Sequence, residues 1–121
     1  MKCFYHASDM DGWCSAAIVA KYTNNYNKED YIGIDYNSRK MANIDISTIG
    51  DKETIYISDL SFTDETIHVL DALIRKCGSD NIIWNDHHKS SIDLCNKFVY
   101  LKNIKGIRSS NNSGAFLTRT S

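Results

Sequence analysis

Four short runs rich in β-branched or aromatic residues punctuate the chain, and three of them stop at an acidic residue or a histidine. Lys2 to Tyr5 is followed by His6, Asp9 and Asp11. Thr54 to Ser58 (TIYIS) is closed by Asp59. Asn81 to Asn85 (NIIWN) runs into Asp86-His87-His88. Tyr31 to Tyr36 (YIGIDY) is the remaining run. Apolar stretches of this length and composition read as strands.

Between them lie segments of helical character. Trp13 to Tyr22 carries small residues at Ala16, Ala17 and Ala20, one helix face able to approach a sheet closely. Ile67, Leu70, Leu73, Ile74 and Cys77 recur at helical spacing, with Thr63 or Asp64 as candidate cap and Gly78 as a C-terminal stop. Asn37 to Lys52 reads as irregular with a short helical piece. Phe98 to Leu101 reads as a fifth strand, and Ser113 caps a last short helix starting at Gly114. Strands alternating with helices predict an α/β fold: a mostly parallel sheet of about five strands flanked by helices. At 121 residues, one domain is expected.

The strand assignment carries a functional consequence. His6, Asp9 and Asp11, then Asp59, then Asp86, His87 and His88, all fall at the carboxyl ends of predicted parallel strands. In open α/β sheets that edge forms the ligand crevice. Several carboxylates brought that close repel one another unless protons or cations intervene. A divalent cation relieves the repulsion, and a donor set this large suits two. Carboxylate-rich sites with some imidazole favour Mn²⁺ or Mg²⁺ over zinc. Two cations ~3.5–4 Å apart can hold both ends of an in-line displacement at phosphorus.

The segments HASDMDGWCSAAI (6–18), YISDLSF (56–62) and NDHHKS (85–90) resemble the first three motifs of the DHH phosphoesterase superfamily. That group includes RecJ-like exonucleases, oligoribonucleases and cyclic-dinucleotide phosphodiesterases. SSNNSGAFL (109–117) is similar to the segment that opens the next helix in such proteins. The resemblance covers nearly the whole chain, and it implies a role for each matching residue. His6 and Asp9 would ligate one metal, Asp11 and His87 the other, and Asp59 would bridge both. His88 would face the substrate phosphate as donor or general acid, and Asp86 would orient the histidines from behind. Two divalent ions are implied, Mn²⁺ first and Mg²⁺ second, with a nucleotide or oligonucleotide as substrate. Arg108, Ser113 and Gly114 are candidate substrate contacts. Such proteins also carry a further metal-ligating Asp and a second, substrate-gripping domain, neither of which these residues match. Residues 1–121 are therefore expected to be one DHH-type catalytic domain, incomplete by comparison with the family.

Other features narrow the field. A net charge of -1 supplies no global basic field for nucleic acid, although bound metal can supply positive charge locally. Cys3, Cys14, Cys77 and Cys95 show no metal-binding spacing and read as small buried residues of a reducing compartment. No secretory leader or membrane span is read, so a cytoplasmic location is expected. His68 reads as an ordinary helix residue, and Trp13 and Trp84 as core or crevice walls. The leading expectation is a metal-dependent phosphoesterase. Beside it stand a metal- and nucleotide-binding module without turnover, and a metal-free scaffold.

Overall fold

The computed structural model describes residues 1–8, 10–35 and 46–109. Four strands and three helices alternate along them: β1 (Lys2–His6), α1 (Met10–Thr23), β2 (Tyr31–Ile34), β3 (Ile55–Ser58), α2 (Ile67–Cys77), β4 (Ile82–Asn85) and α3 (Lys89–Lys97). Short 3-10 turns occupy Lys28–Asp30, Ile46–Thr48, Ser79–Asn81 and Val99–Asn103.

The strands form one sheet in the order β2-β1-β3-β4, and every pairing is parallel. The order has a consequence for function. From β1 the chain steps outward to β2, then returns across β1 to lay down β3 and β4. The direction of winding therefore reverses between β1 and β3. In parallel α/β sheets such a reversal splays the flanking connections and opens a crevice at the strand carboxyl ends. Here the reversal falls between β1, which ends at His6, and β3, which Asp59 follows.

Alternation along the strands divides the side chains between two faces. Phe4, Ile57 and Trp84 stand in register across β1, β3 and β4. They join a core with Val69, Leu70, Leu73 and Cys77 of α2, Leu94 and Cys95 of α3, and Leu101 and Ile104 beyond it. Cys3 and Tyr5 stand on the opposite face, where α1 packs with Gly12, Ser15, Ala16 and Val19 buried. Gly12 permits this packing. A Cβ there would sit 1.7 Å from the His6 carbonyl oxygen, so only glycine lets α1 start hard against the end of β1.

Several expectations are corrected. Among the described residues the sheet has four strands, not about five. Phe98–Leu101 is not a strand; Val99–Asn103 form a 3-10 turn with only Leu101 buried. The chain pairs with β4 slightly later instead. Bridges join Ile83 to Lys105 and Asp86 to Arg108, with Trp84 N donating to Lys105 O at 2.8 Å and Asp86 N to Ile107 O at 3.0 Å. Gly106 makes this approach possible: its φ is +104, and a Cβ would lie 2.3 Å from the Trp84 carbonyl oxygen.

Helix α3 has no counterpart in the expected elements. Helix α1 starts at Met10 rather than Trp13, and α2 starts at Ile67, after a turn in which Glu65 N donates to Thr63 Oγ1. β2 is assigned only to Ile34. Of the irregular stretch expected over 37–52, residues 37–45 lie outside the described residues, and Ile46–Thr48 supply a short helical turn. Cys3, Cys77 and Cys95 are buried, but Cys14 is exposed. Among the described residues no helix is long and apolar enough to cross a membrane.

Candidate metal centre

Each strand end delivers its residues by a different local device. β1 carries His6 as its last residue, and the close approach at Gly12 brings Asp11, in the first turn of α1, back over it. Asp59 follows β3 with φ +60, in the left-handed region that aspartate enters more readily than most residues. Its N–H donates to the Asn85 carbonyl at 2.9 Å, which ties the turn to β4. Asp86 follows β4 and is held by Ser109 N and Ile107 O through its own backbone groups. His88 then takes extended backbone as the N-cap of α3.

These devices bring the side chains together. His87 Nε2 lies 2.7 Å from Asp59 Oδ1 and 3.4 Å from Asp11 Oδ2. His6 Nδ1 lies 3.7 Å from Asp59 Oδ2. The His87 and His88 ring centroids are 4.4 Å apart, and those of His6 and His88 are 6.4 Å apart. The Asp59 and Asp86 side chains are fully buried, while His87 and His88 are about one-third exposed (33% and 31%). The cluster is thus a floor of two buried carboxylates under a partly open rim of imidazoles. Burying a carboxylate is costly unless positive charge or hydrogen bonds compensate it. A cation among these donors would do so.

Asp59, Asp86, His87 and His88 each offer a ligand atom, all within 4.8 Å of one another, and this group could hold a metal ion. His6 and Asp11 adjoin it through Asp59 and His87. The structure thus gathers His6, Asp11, Asp59, Asp86, His87 and His88 at one sheet edge. Asp9, the other expected ligand, lies outside the described residues, as do Ser113 and Gly114.

Asp86 differs from Asp59 in its bonding. His88 Nδ1 meets Asp86 Oδ1 at 2.6 Å, and Ser91 Oγ donates to Asp86 Oδ2. Burial pushes the Asp86 carboxyl above the usual carboxylate range, and the Ser91 bond and His88 charge pull part of the way back. Both oxygens are occupied within the protein. Distance puts Asp86 among the possible ligands, and its hydrogen bonds tie it to His88 and Ser91 as well. Ser91 was not among the expected site residues. Its signal was a hydroxyl in the first turn after the triplet, visible only once α3 is known to begin at Lys89.

Arg108, a candidate substrate contact, is bonded to the chain's own backbone. Nη1 donates to the carbonyls of Trp84, Ile104 and Lys105 at 3.1, 3.0 and 3.2 Å, and Nη2 to that of Leu101 at 3.2 Å. The guanidinium also lies 5.2 Å from the Trp84 ring centroid. These contacts make it a clamp on the 101–105 segment.

The two tryptophans part company. Trp84 is buried in the core, with Nε1 bonded to Leu60 O at 2.8 Å. Trp13 is 55% exposed, pinned by Nε1 to Ala7 O at 2.9 Å and by an edge contact with Tyr5. It walls a groove of about 570 Å³ beside α1, shared with Tyr5, Ala16, Tyr26 and Tyr31. His68 is exposed on α2.

No family model, curated protein or solved structure matches the chain.

Proposed function

We propose that this chain is a metal-dependent phosphoesterase of the DHH kind, acting on a phosphodiester of a nucleotide, short oligonucleotide or cyclic dinucleotide. The observation that carries the reading is the position of Asp59. Its buried carboxylate faces His87 on the β4 side and His6 on the β1 side, at the point where the sheet reverses its winding.

Under this reading Asp59 would lie between two divalent ions. His6 with Asp9 would hold one, and His87 with Asp11 the other. Mn²⁺ fits this mixed oxygen and nitrogen set best, with Mg²⁺ next. When bound, the ions supply Lewis-acid charge to a phosphoryl oxygen and lower the pKa of a water. The protein's own groups do the rest. His6, Asp11, Asp59 and His87 fix the geometry of the crevice. His88, backed by Asp86, is placed to give a proton to the leaving oxygen. Four free cysteines fit a reducing, cytoplasmic setting.

A second reading is a module that binds metal and nucleotide without turnover. It is favoured by Asp93, the carboxylate on α3, being exposed, so that it adds no donor to the cluster of described residues. Hydrolysis of bis-p-nitrophenyl phosphate with added Mn²⁺ decides between them. The phosphoesterase reading expects turnover that Asp59→Ala abolishes. Unchanged turnover in that variant would overturn it. Mn²⁺ binding by calorimetry with no hydrolysis of any phosphodiester would select the module.

A further inference from the structure

Ser91 is fully buried in the first turn of α3, and its backbone N–H donates to the His88 carbonyl at 3.1 Å. Its hydroxyl is turned onto Asp86 Oδ2, while the other oxygen of the same carboxylate meets His88 Nδ1 at 2.6 Å. The chain Ser91–Asp86–His88 is therefore continuous, and its far end is the imidazole beside His87. The order of the bonds decides what the serine does. A nucleophilic serine would be bonded to the imidazole and open to substrate. Ser91 is bonded to the carboxylate and closed off from solvent.

A carboxylate that accepts from Ser91 on one oxygen is held in rotation and offers its second oxygen in a fixed direction. At a pH where the imidazoles are neutral and the Asp86 carboxyl is ionised, that carboxylate only accepts, so the imidazole nitrogen facing it must carry the proton. We propose that Ser91 is a positioning residue: through Asp86 it fixes His88 as the Nδ1–H tautomer, leaving Nε2 as the nitrogen presented to metal or substrate. The tautomer assignment stands on these hydrogen bonds with Asp86 ionised. Its effect on turnover rests on the phosphoesterase reading above.

The test reads the tautomer first, in metal-free protein carrying ¹⁵N-labelled histidine, with the imidazoles held neutral and His88 assigned by its loss in His88→Gln. The wild type is expected to give a single Nδ1–H form with a downfield, slowly exchanging proton. Ser91→Ala is expected to mix the two tautomers and lose that slow exchange, while the backbone amide spectrum elsewhere is kept. A Ser91→Ala protein that retains the single slow-exchanging tautomer overturns the proposal. Should that variant fail to fold, Ser91→Cys keeps the volume with a far weaker donor and is read in the same way. The second arm is hydrolysis of bis-p-nitrophenyl phosphate with Mn²⁺. There kcat should fall about tenfold in Ser91→Ala, with KM changed by less than about twofold. An equal loss in KM with kcat intact would overturn the positioning role. A wild-type protein that hydrolyses nothing would remove the phosphoesterase reading and leave the tautomer result standing.

Discussion

Asp59 Oδ1 lies 2.7 Å from His87 Nε2, which joins the turn after β3 to the triplet after β4 across two neighbouring strands. The carboxylate is fully buried, and its other oxygen faces His6 at the end of β1. One side chain thus touches residues from both flanking strands. Its placement follows from parallel pairing, because only a parallel sheet puts all its carboxyl ends on the same edge.

A first prediction concerns metal binding. If Asp59 is the shared ligand, Mn²⁺ should stabilise the fold by mass action. At a hundred times its dissociation constant a ligand adds about 2.7 kcal/mol, which for a chain of this size raises the melting temperature by about 10 °C. Asp59→Ala is expected to lose nearly all of that shift. A melting temperature that rises equally with Mn²⁺ in wild type and variant would place the metal elsewhere.

A second prediction concerns Gly12. The 1.7 Å approach to the His6 carbonyl leaves no room for a methyl group, and the contact is with backbone, which cannot rotate away. Gly12→Ala must push α1 off the end of β1. The expected cost is about 3 kcal/mol or more, read as a lowered urea midpoint, and Asp11 should be carried away from His87 at the same time. A variant with unchanged stability and Mn²⁺ response would contradict the packing described.

How much of this was legible in the residues alone depends on where the partners are. His6, Asp59 and the triplet were readable because each closes a strand whose apolar run is strong, and parallel topology then gathers strand ends without any further detail. Helix α3 was not, because KSSIDLCNK is short and has only Ile92, Leu94 and Cys95 as apolar residues. Burial of Leu94 and Cys95 against the core supports it, and that is a tertiary effect. Phe98–Leu101 looked like a strand by composition, yet Val99 and Tyr100 face solvent and Tyr100 bonds Asp71 at 2.6 Å. Lys105–Arg108 carried no expected element, yet it runs beside β4 because Gly106 can come close to Trp84. Strand propensity gives way to context in both directions.

A third prediction is a pH dependence away from the metal centre. Asp30 accepts from Asn25 Nδ2 at 2.8 Å and from Lys2 Nζ at 3.0 Å. The Asn25 bond first, and the Lys2 ammonium next, hold its carboxyl below the ordinary value of 3.8. A depressed folded pKa contributes stability that is present above 3.8 and is lost as pH falls through the lower folded value. For a partly exposed pair the contribution is about 0.5 kcal/mol. Asp30→Asn should therefore be less stable than wild type near neutrality, and the gap should close in strong acid. Urea melts of both proteins across that range check it, and a gap that persists in strong acid would assign the loss to packing instead.

The last prediction separates the two roles of Arg108. Four carbonyls, those of Trp84, Leu101, Ile104 and Lys105, receive its guanidinium, and the Trp84 ring lies beneath it. Arg108→Met keeps much of the stem but leaves these acceptors without their donor. Loss of partners for partly buried carbonyls costs about 1–3 kcal/mol. Lysine, with a single point of charge, cannot reproduce the fork, so Arg108→Lys should recover only part of the loss. Because the guanidinium is turned toward the chain's own backbone, Mn²⁺ binding at the strand ends should be unchanged in both variants, and so should KM for any phosphodiester the protein hydrolyses. A rise in KM with stability intact would return Arg108 to the substrate side of the molecule.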